Sequence, residues 1–575
     1  MGSTNAHMKP PHENSDHSGL RLLLWAGIAA LILWVSVMAA VPPVSRDALT
    51  HHLTIPKMYL AHGGIYEIPS IHFSYFPMNL DLLYLAALYF KNDIAAKYIH
   101  FLFALLTAGL IHHYLRQVLN RTYGLLGALF FLSLPVIVKL SVTVYVDLGL
   151  IFFSWTSLFL LVKWYDTDFQ PRFLILAGIA CGLALGTKYN GLILLPIMGA
   201  VIPILHTLKK NKTVSKTNTR LRYKNSFTGL GWAAVFILVA MICFSPWMAR
   251  NIIWKQNPVY PLYNKVFNPP APAAPPRVAK EKAPPKNPFW VRRHVYGESF
   301  AQTLFIPIRA FFQGKDDDPR YFDGRLNPLL LLLPLMAFAP TGRQLPFKAF
   351  KSHRTVFAVF AVLFILFVWF KSDFRIRYMV PAIPPLVVLS VIGVKNLADF
   401  ISRKTGPGKT VGMTILVLLV LSGFIYNADY IRGLFHYIRP LDYISGKVDR
   451  DTYITRFRRE HPVILHANKT LSEDARVLCI SLGNRTYYVN RKVHLAHDFF
   501  SKKGGEFSEN ALLKKIRRFD TTHIILDRKV LFDWLRTLPK AEQSVFLNVF
   551  KHNTRVLYEK DEVLLLALDV QNGSG

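Results

Sequence analysis

Two carboxylates in this chain stand where a lipid bilayer would begin. Asp47 sits in the polar stretch Ser45-Arg46-Asp47-Ala48-Leu49-Thr50-His51-His52 after the apolar run Leu20 to Val41, and Asp147 begins another apolar run in Val144-Tyr145-Val146-Asp147-Leu148. An ionisable side chain at or near bilayer depth costs several kcal/mol, so each is a functional candidate until a structural reason for it is found. Bases accompany them: Lys57, Lys188 between two apolar runs, Arg250 at the end of another, and Lys371, Arg375 and Arg377 ahead of Tyr378. A carboxylate within hydrogen-bond reach of a hydroxyl takes its proton during attack. Guanidinium and ammonium groups hold a phosphate-bearing lipid while it does so. Each base also reads as an interfacial anchor or half of a local ion pair. If the stretch after Arg46 is helical, Asp47 and His51 share a face at i and i+4. His51, with His52 beside it, then orients a sugar or acceptor, pairs with the carboxylate or ligates a metal; an interfacial histidine is the plain alternative. No compact His, Asp or Glu motif has ligand spacing, so the sequence requires no cofactor and leaves a divalent cation open. Asp316-Asp317-Asp318 matches a cation site in composition only and reads better as a solvated turn before Pro319.

Composition says what elements hold these residues. Of 575 residues, 52% are hydrophobic and 13% aromatic, which is too apolar for a soluble chain of this length and calls for lipid as solvent. Lys and Arg number 68 against 35 Asp and Glu, a formal charge of +33. In a membrane protein such an excess sits in cytoplasmic loops and against anionic headgroups, and nucleic acid is not the expected partner. The 3 cysteines, Cys181, Cys243 and Cys479, are too scattered for a disulfide framework or a zinc site and read as structural.

Apolar runs near bilayer length recur at Leu20 to Val41, Ile94 to Leu115, Tyr123 to Leu140, Val144 to Trp164, Phe173 to Gly186, Gly191 to Leu208, Phe227 to Trp247, Leu326 to Phe338, Val356 to Phe370, Tyr378 to Val394 and Val411 to Tyr426. These make about eleven crossings. The first is too long for a signal-peptide core and reads as a signal anchor. The connections Lys209 to Lys224, Arg343 to Arg354 and Lys395 to Lys409 are basic and fall together on one side, the cytoplasm. The expected layout is therefore a cytoplasmic tail (1–18), a transmembrane module (19–427) with outer loops 42–93 and 248–325, and a soluble α/β domain (428–575) on the non-cytoplasmic side. In the second outer loop the Pro-rich stretch Asn268 to Pro288 reads as an extended solvated linker, with a lid over a site as the alternative. Past Tyr426 the β-rich runs Arg476 to Leu482, Thr522 to Leu526 and Val563 to Leu566 and the amphipathic stretch Glu509 to Phe519 mark the soluble domain. Its polar cluster Asn484 to Tyr488 carries no recognisable chemistry, and support or acceptor docking is the expected role.

Arg46-Asp47-Ala48-Leu49-Thr50-His51-His52-Leu53, Pro56-Lys57-Met58-Tyr59-Leu60, Gly63-Gly64-Ile65 and Phe76-Pro77-Met78-Asn79-Leu80 together resemble the first outer loop of bacterial GT-C glycosyltransferases. These are relatives of the protein O-mannosyltransferases and of the aminoarabinose transferase acting on lipid A. Tyr145-Val146-Asp147, Gly186-Thr187-Lys188-Tyr189-Asn190-Gly191, Asn257-Pro258-Val259-Tyr260-Pro261 and Arg377-Tyr378-Met379-Val380-Pro381 follow in the same order. The resemblance spans roughly residues 20–394 and rests on order and topology. It implies a polytopic α-helical GT-C fold of about 11–13 transmembrane helices in a bacterial inner membrane. It also implies a polyprenyl-phosphate sugar donor, a glycan, lipid or protein acceptor, and inverting transfer. By the same resemblance Asp47 matches the general base, Asp147 a second outer-face aspartate near the acceptor, and Lys188, Arg375, Arg377 and Tyr378 residues near the lipid phosphate. Relatives carry Asp-Glu where this chain has Asp47-Ala48, and His-Pro-Pro or Lys-Pro-Pro where it has Phe76-Pro77-Met78; Lys57 is the residue available to replace the missing cation.

Two other readings compete. A transporter or flippase of a lipid-linked sugar also needs outward cations, but predicts inverted repeats and charges near mid-depth; no convincing repeat is found, and the acids lie at span ends. A non-catalytic scaffold leaves the outward charges unexplained.

Overall fold

The structure, a computed structural model, describes residues 18–215, 217–269, 288–339, 348–371, 373–495, 508–517 and 520–569. The N-terminal tail before residue 18 and most of the Pro-rich stretch, 270–287, lie outside the described residues.

Each of the apolar runs holds a helix. In chain order the membrane helices are α1 (Ser18–Ala39), α2 (Asp93–Val118), α3 (Arg121–Ser133), α4 (Pro135–Ser141), α5 (Asp147–Asp166), α6 (Pro171–Leu185), α7 (Leu194–Asn211), α8 (Thr219–Lys255), α9 (Leu329–Met336), α10 (Lys348–Lys371), α11 (Ile383–Ser402) and α12 (Pro407–Ile438). Among the described residues 8 helices are long and apolar enough to cross a membrane, and α3 with α4 makes a ninth if the bent pair is one span. That pair was expected as one helix and is bent by 66° instead. The cause is Pro135, which lacks an N–H to donate and forces the residue before it, Leu134, to an extended ψ of 133. α6 and α9, with 15 and 8 residues, are shorter than a bilayer crossing.

Close packing gathers these helices around α11, which is apolar all round and buried along most of its length. Gly182 lets α6 meet α8: a Cβ there would stand 2.5 Å from the Ala240 carbonyl oxygen. Gly393 does the same between α11 and Leu333 of α9. One end of the bundle carries the starts of α2 and α5 and the ends of α1, α8 and α12; the basic connection between α11 and α12 lies at the other. The loop 42–93 is largely helical, with a π turn Ala48–His52, helix Thr54–His62 and helix Asn79–Tyr89.

The boundary expected after residue 427 falls inside a helix. α12 continues without a break to Ile438, because Asn427 is a buried bundle residue: it donates to Ser133 Oγ at 2.9 Å and accepts from Asn327 Nδ2 at 2.8 Å. Beyond it, strands β1 (Arg476–Ile480), β2 (Lys492–Leu495), β3 (His523–Asp527), β4 (Thr554–Lys560) and β5 (Val563–Leu568) form one mixed sheet in the order β2-β1-β3-β5-β4. β1 runs parallel to β2 and β3, and β5 antiparallel to β3 and β4. Successive residues face opposite sides of the sheet. Leu478, Ile524 and Leu566 pack on helices Glu509–Arg517, Arg528–Leu535 and Lys540–Asn553, while Val477, Cys479 and Ile525 join the core continuous with the bundle. Sequence expectation missed β2 and β4; both are edge strands of mixed polarity.

Candidate active site

A cavity of about 1280 Å³ opens where the loop end of the bundle meets the C-terminal domain. Its walls carry Arg46, Lys97, Lys139, Arg325, Arg375, Arg377, Arg432, Arg439, Arg456, Arg458 and Arg485 against Asp47, Asp316, Asp317, Asp323 and Asp429. Most come from three regions, the segment after α1, the loops before α9 and α11, and the far end of α12 with the residues that follow; Lys97 of α2 and Lys139 of α4 complete the set.

Asp47 lies in the wall between Arg46 and the π turn. Its carboxylate accepts a hydrogen bond from Arg377 Nη1. Burial pushes this carboxyl up, but the Arg377 guanidinium outweighs it and holds the group well below the usual carboxylate range. Arg377 also lies 5.3 Å from the Tyr145 ring and 5.4 Å from the Tyr378 ring. The Lys188 ammonium is 5.4 Å from the same Tyr378 ring and donates to Asp147 Oδ1 at 2.6 Å. The sequence-expected residues Asp47, Arg377, Tyr378, Lys188 and Asp147 therefore form a continuous chain of contacts. Only Asp47 and Arg377 of these line the cavity, together with Arg375, which pairs with Asp323 at 3.1 Å. Asp147 is fully buried at the start of α5, and its second carboxylate oxygen has no hydrogen-bond partner among the described residues.

The turn after Asp47 is π-helical, with Leu53 N–H donating to the Ala48 carbonyl at 2.9 Å, so the expected i, i+4 helical face is replaced by a wider turn. His51 remains near enough to act electrostatically on Asp47. Burial, then His52, hold its imidazole well below the ordinary histidine value. The ring stacks on Phe73 at 4.3 Å. His52 turns away, its Nδ1 hydrogen-bonded to buried Asp81 at 2.7 Å.

Two expected phosphate contacts are elsewhere. Lys57 is not in the cavity: its ammonium donates to the Tyr487 carbonyl (2.7 Å), the Val489 carbonyl (2.9 Å) and Asn490 Oδ1 (2.8 Å), and burial pushes it down to about 8. Arg250 lies inside the last turns of α8, between the Trp247 and Trp254 rings at 4.7 and 5.1 Å, and donates to the Phe76 carbonyl at 3.0 Å. The Asp triplet is more than a solvated turn. Asp318 caps the short helix Pro319–Tyr321, while Lys139 pairs with Asp317 at 2.9 Å and Asp316 at 3.5 Å, and Tyr430 donates to Asp316. Among the described residues no three His, Cys, Asp or Glu side chains converge as a metal site would require. Sequence reasoning missed Lys139, a base inside an apolar run that the rule for buried charge would have flagged. It also missed Arg325, which directly precedes the apolar run Leu326 to Phe338, and Arg439, Arg458 and Arg485, which sit in polar sequence and carry no local signal.

Comparison with known proteins agrees with this architecture. Residues 69–255 match the family model described as dolichyl-phosphate-mannose-protein mannosyltransferase. No curated protein matches the sequence. Among solved structures, ArnT from Cupriavidus metallidurans in the apo state aligns with TM-score 0.54 and 14% identity over 96% of this chain and 98% of its own. The same protein bound to undecaprenyl phosphate gives 0.53 and 12% over the same shares. The archaeal oligosaccharyltransferase AglB from Archaeoglobus fulgidus, in complex with an inhibitory peptide and a dolichol-phosphate, gives 0.50 and 11% over 95% of this chain and 75% of its own. At these identities the structural likeness is one of fold. The chain therefore has the GT-C fold over its whole length, and within it residues 69–255 match the protein-mannosyltransferase family model.

Proposed function

We propose that the chain transfers a sugar from a polyprenyl-phosphate carrier to an acceptor hydroxyl on the non-cytoplasmic face of a bacterial inner membrane, with inversion at the anomeric carbon. The observation that carries the reading is Asp47, a carboxylate exposed to a strongly basic cavity and paired with Arg377. The orientation rests on the basic connections at the opposite end of the bundle. The donor class is supported by the undecaprenyl phosphate and dolichol-phosphate named in the similar structures.

The lipid phosphate leaves without a strong general acid once its charge is neutralised, which is the part assigned to Arg375 and Arg377. The acceptor hydroxyl loses its proton to Asp47 as its oxygen attacks the anomeric carbon and the bond to phosphate breaks. Arg377 couples the two events. Bound to Asp47 it suppresses the basicity of the carboxylate, and shared with an arriving phosphate it releases that carboxylate. Asp147 and Lys188 lie one layer behind the cavity and hold the Tyr378 segment, and His51, stacked on Phe73, lies behind the wall beside Asp47.

The test is transfer of radiolabelled sugar from a panel of polyprenyl-phosphate sugars to membrane extract, with Asp47→Asn and Asp147→Asn alongside the parent, with and without chelator. Loss of a general base lowers turnover on the order of 100- to 10,000-fold, and this is expected for a folded Asp47→Asn. Unchanged transfer removes Asp47 from the mechanism. Movement of lipid-linked sugar across vesicles without transfer to any acceptor turns the reading to a transporter.

A further inference from the structure

The backbone that carries Asp47 is held partly by itself and partly from outside. Within the segment Leu49 N–H donates to the Ser45 carbonyl at 3.2 Å, Thr50 Oγ1 to the Asp47 carbonyl at 3.3 Å and Leu53 N–H to the Ala48 carbonyl at 2.9 Å, while Asp47 makes no side-chain cap to the π turn Ala48–His52. Further partners come from the C-terminal domain. Before Asp47, the Pro43 carbonyl accepts from Tyr488 Oη at 2.7 Å and the Val44 carbonyl accepts from Arg458. After it, the Leu49 carbonyl accepts from Thr486 N–H at 3.1 Å and Tyr487 N–H at 3.2 Å, as well as from Thr54 Oγ1 at 2.7 Å. Lys57, on the helix that follows the turn, completes the attachment. A lysine ammonium has three protons to donate, and all three have acceptors in residues 487–490. The Tyr487 ring lies 5.5 Å from the same nitrogen.

We propose that Lys57 is a positioning residue: by tying helix Thr54–His62 to the loop 484–490 of the C-terminal domain, it fixes the turn that presents Asp47 to the cavity. This deepens the assignment of Asp47 as the base and rests on it. It gives the polar cluster Asn484 to Tyr488 a task, namely to act as the jig for a catalytic turn supplied by another part of the chain. Misplacement of a reacting group by about 1 Å lowers turnover on the order of 100-fold, so a loosened clamp is visible in kcat even where binding of the lipid is intact.

The experiment uses the full chain in liposomes and compares Lys57→Met, which keeps the stem and removes the donors, with Asn490→Ala, which removes one acceptor of three. Lys57→Met is expected to lower kcat about 10- to 100-fold with donor KM unchanged, and Asn490→Ala to move kcat the same way by less. If Lys57 acts through Asp47, Lys57→Met causes no further loss in an Asp47→Asn background. A multiplicative loss there, or a raised donor KM with kcat intact, overturns the proposal; the second outcome returns Lys57 to phosphate binding. Asp47→Asn as active as the parent is a different failure, that of the base assignment. Where Asp47→Asn leaves too little activity to compare, or Lys57→Met does not fold, amide exchange of Asn490→Ala and of any folded Lys57→Met decides. Faster exchange over residues 45–53 with 476–480 unchanged is expected, and unchanged exchange over 45–53 overturns the clamp.

Discussion

Replacing Arg377 with Met should create an acid limb in the pH profile that the parent enzyme lacks. Asp47 must be ionised to accept a proton, and Arg377 in hydrogen-bond contact holds it ionised to well below the usual carboxylate range. The parent's kcat/KM is therefore flat on the acid side down to the pH at which the protein unfolds. An opposite charge in contact lowers a carboxylate by about 1 to 3 pH units, equivalent to about 1.4 to 4 kcal/mol of preference for the ionised form. Arg377→Met removes that cause and keeps the burial, which acts in the other direction. The carboxyl then rises from the position at which Arg377 holds it, and activity falls as pH drops through the raised value. The donor is a phosphodiester with no titration of its own in this range, so the limb belongs to the protein. The assay is transfer from a saturable polyprenyl-phosphate sugar in liposomes, measured from about pH 4 upward and normalised to each variant's plateau. Normalisation matters because Arg377 also faces the phosphate, and its loss depresses the plateau itself. Superimposable normalised profiles for parent and variant would refute the coupling of Arg377 to Asp47, and so the identity of Asp47 as the titrating base.

Lys188→Met should destabilise the protein by about 3 to 5 kcal/mol, because it strands the fully buried Asp147 without its ion-pair partner; the unfolding midpoint in detergent reads this, and adding Asp147→Asn should recover part of the loss. Asn427→Leu removes one buried hydrogen bond each from Asn327 and Ser133, which keep only their bonds to nearby backbone, and should cost about 1 to 3 kcal/mol by the same measurement. Raising salt from about 0.01 M to 1 M shortens the screening length from about 30 Å to 3 Å. Donor KM should rise over that range while kcat holds, since the cavity's cations draw the lipid phosphate in.

The fold was legible because lipid imposes a rule on sequence: a crossing helix must be apolar throughout, and each such run stands out by itself. The rule failed where length and local chemistry diverge. Pro135 broke one apolar run into α3 and α4, and Asn427, a polar residue one position past the last apolar run, belongs to the bundle. A run-based boundary there was bound to fall short, because Asn427 is satisfied by Asn327 and Ser133, which are 100 and 294 residues away. β2 and β4 escaped for the converse reason: edge strands bury too little to show an alternation.

In the site, charges at the ends of apolar runs were visible, and Asp47, Arg377, Lys188 and Asp147 do come together. What could not be read was which charges face each other and which are already satisfied. Lys57 and Arg250 looked like free cations in sequence; one is bound to the C-terminal domain and the other is held between indole rings. The cations that do line the cavity from the other side, Arg439, Arg458 and Arg485, lie in a stretch where Lys and Arg are common and signal nothing. Their placement has a consequence for how the enzyme is built. Arg458 reaches the backbone three residues before Asp47, and Arg377 reaches its carboxylate, so the segment 44–47 is held from both sides. A transmembrane module alone would leave one of those sides open. The C-terminal domain is thus part of the wall around the reacting groups, which explains why its sheet shares a continuous core with the bundle instead of sitting on a flexible stalk.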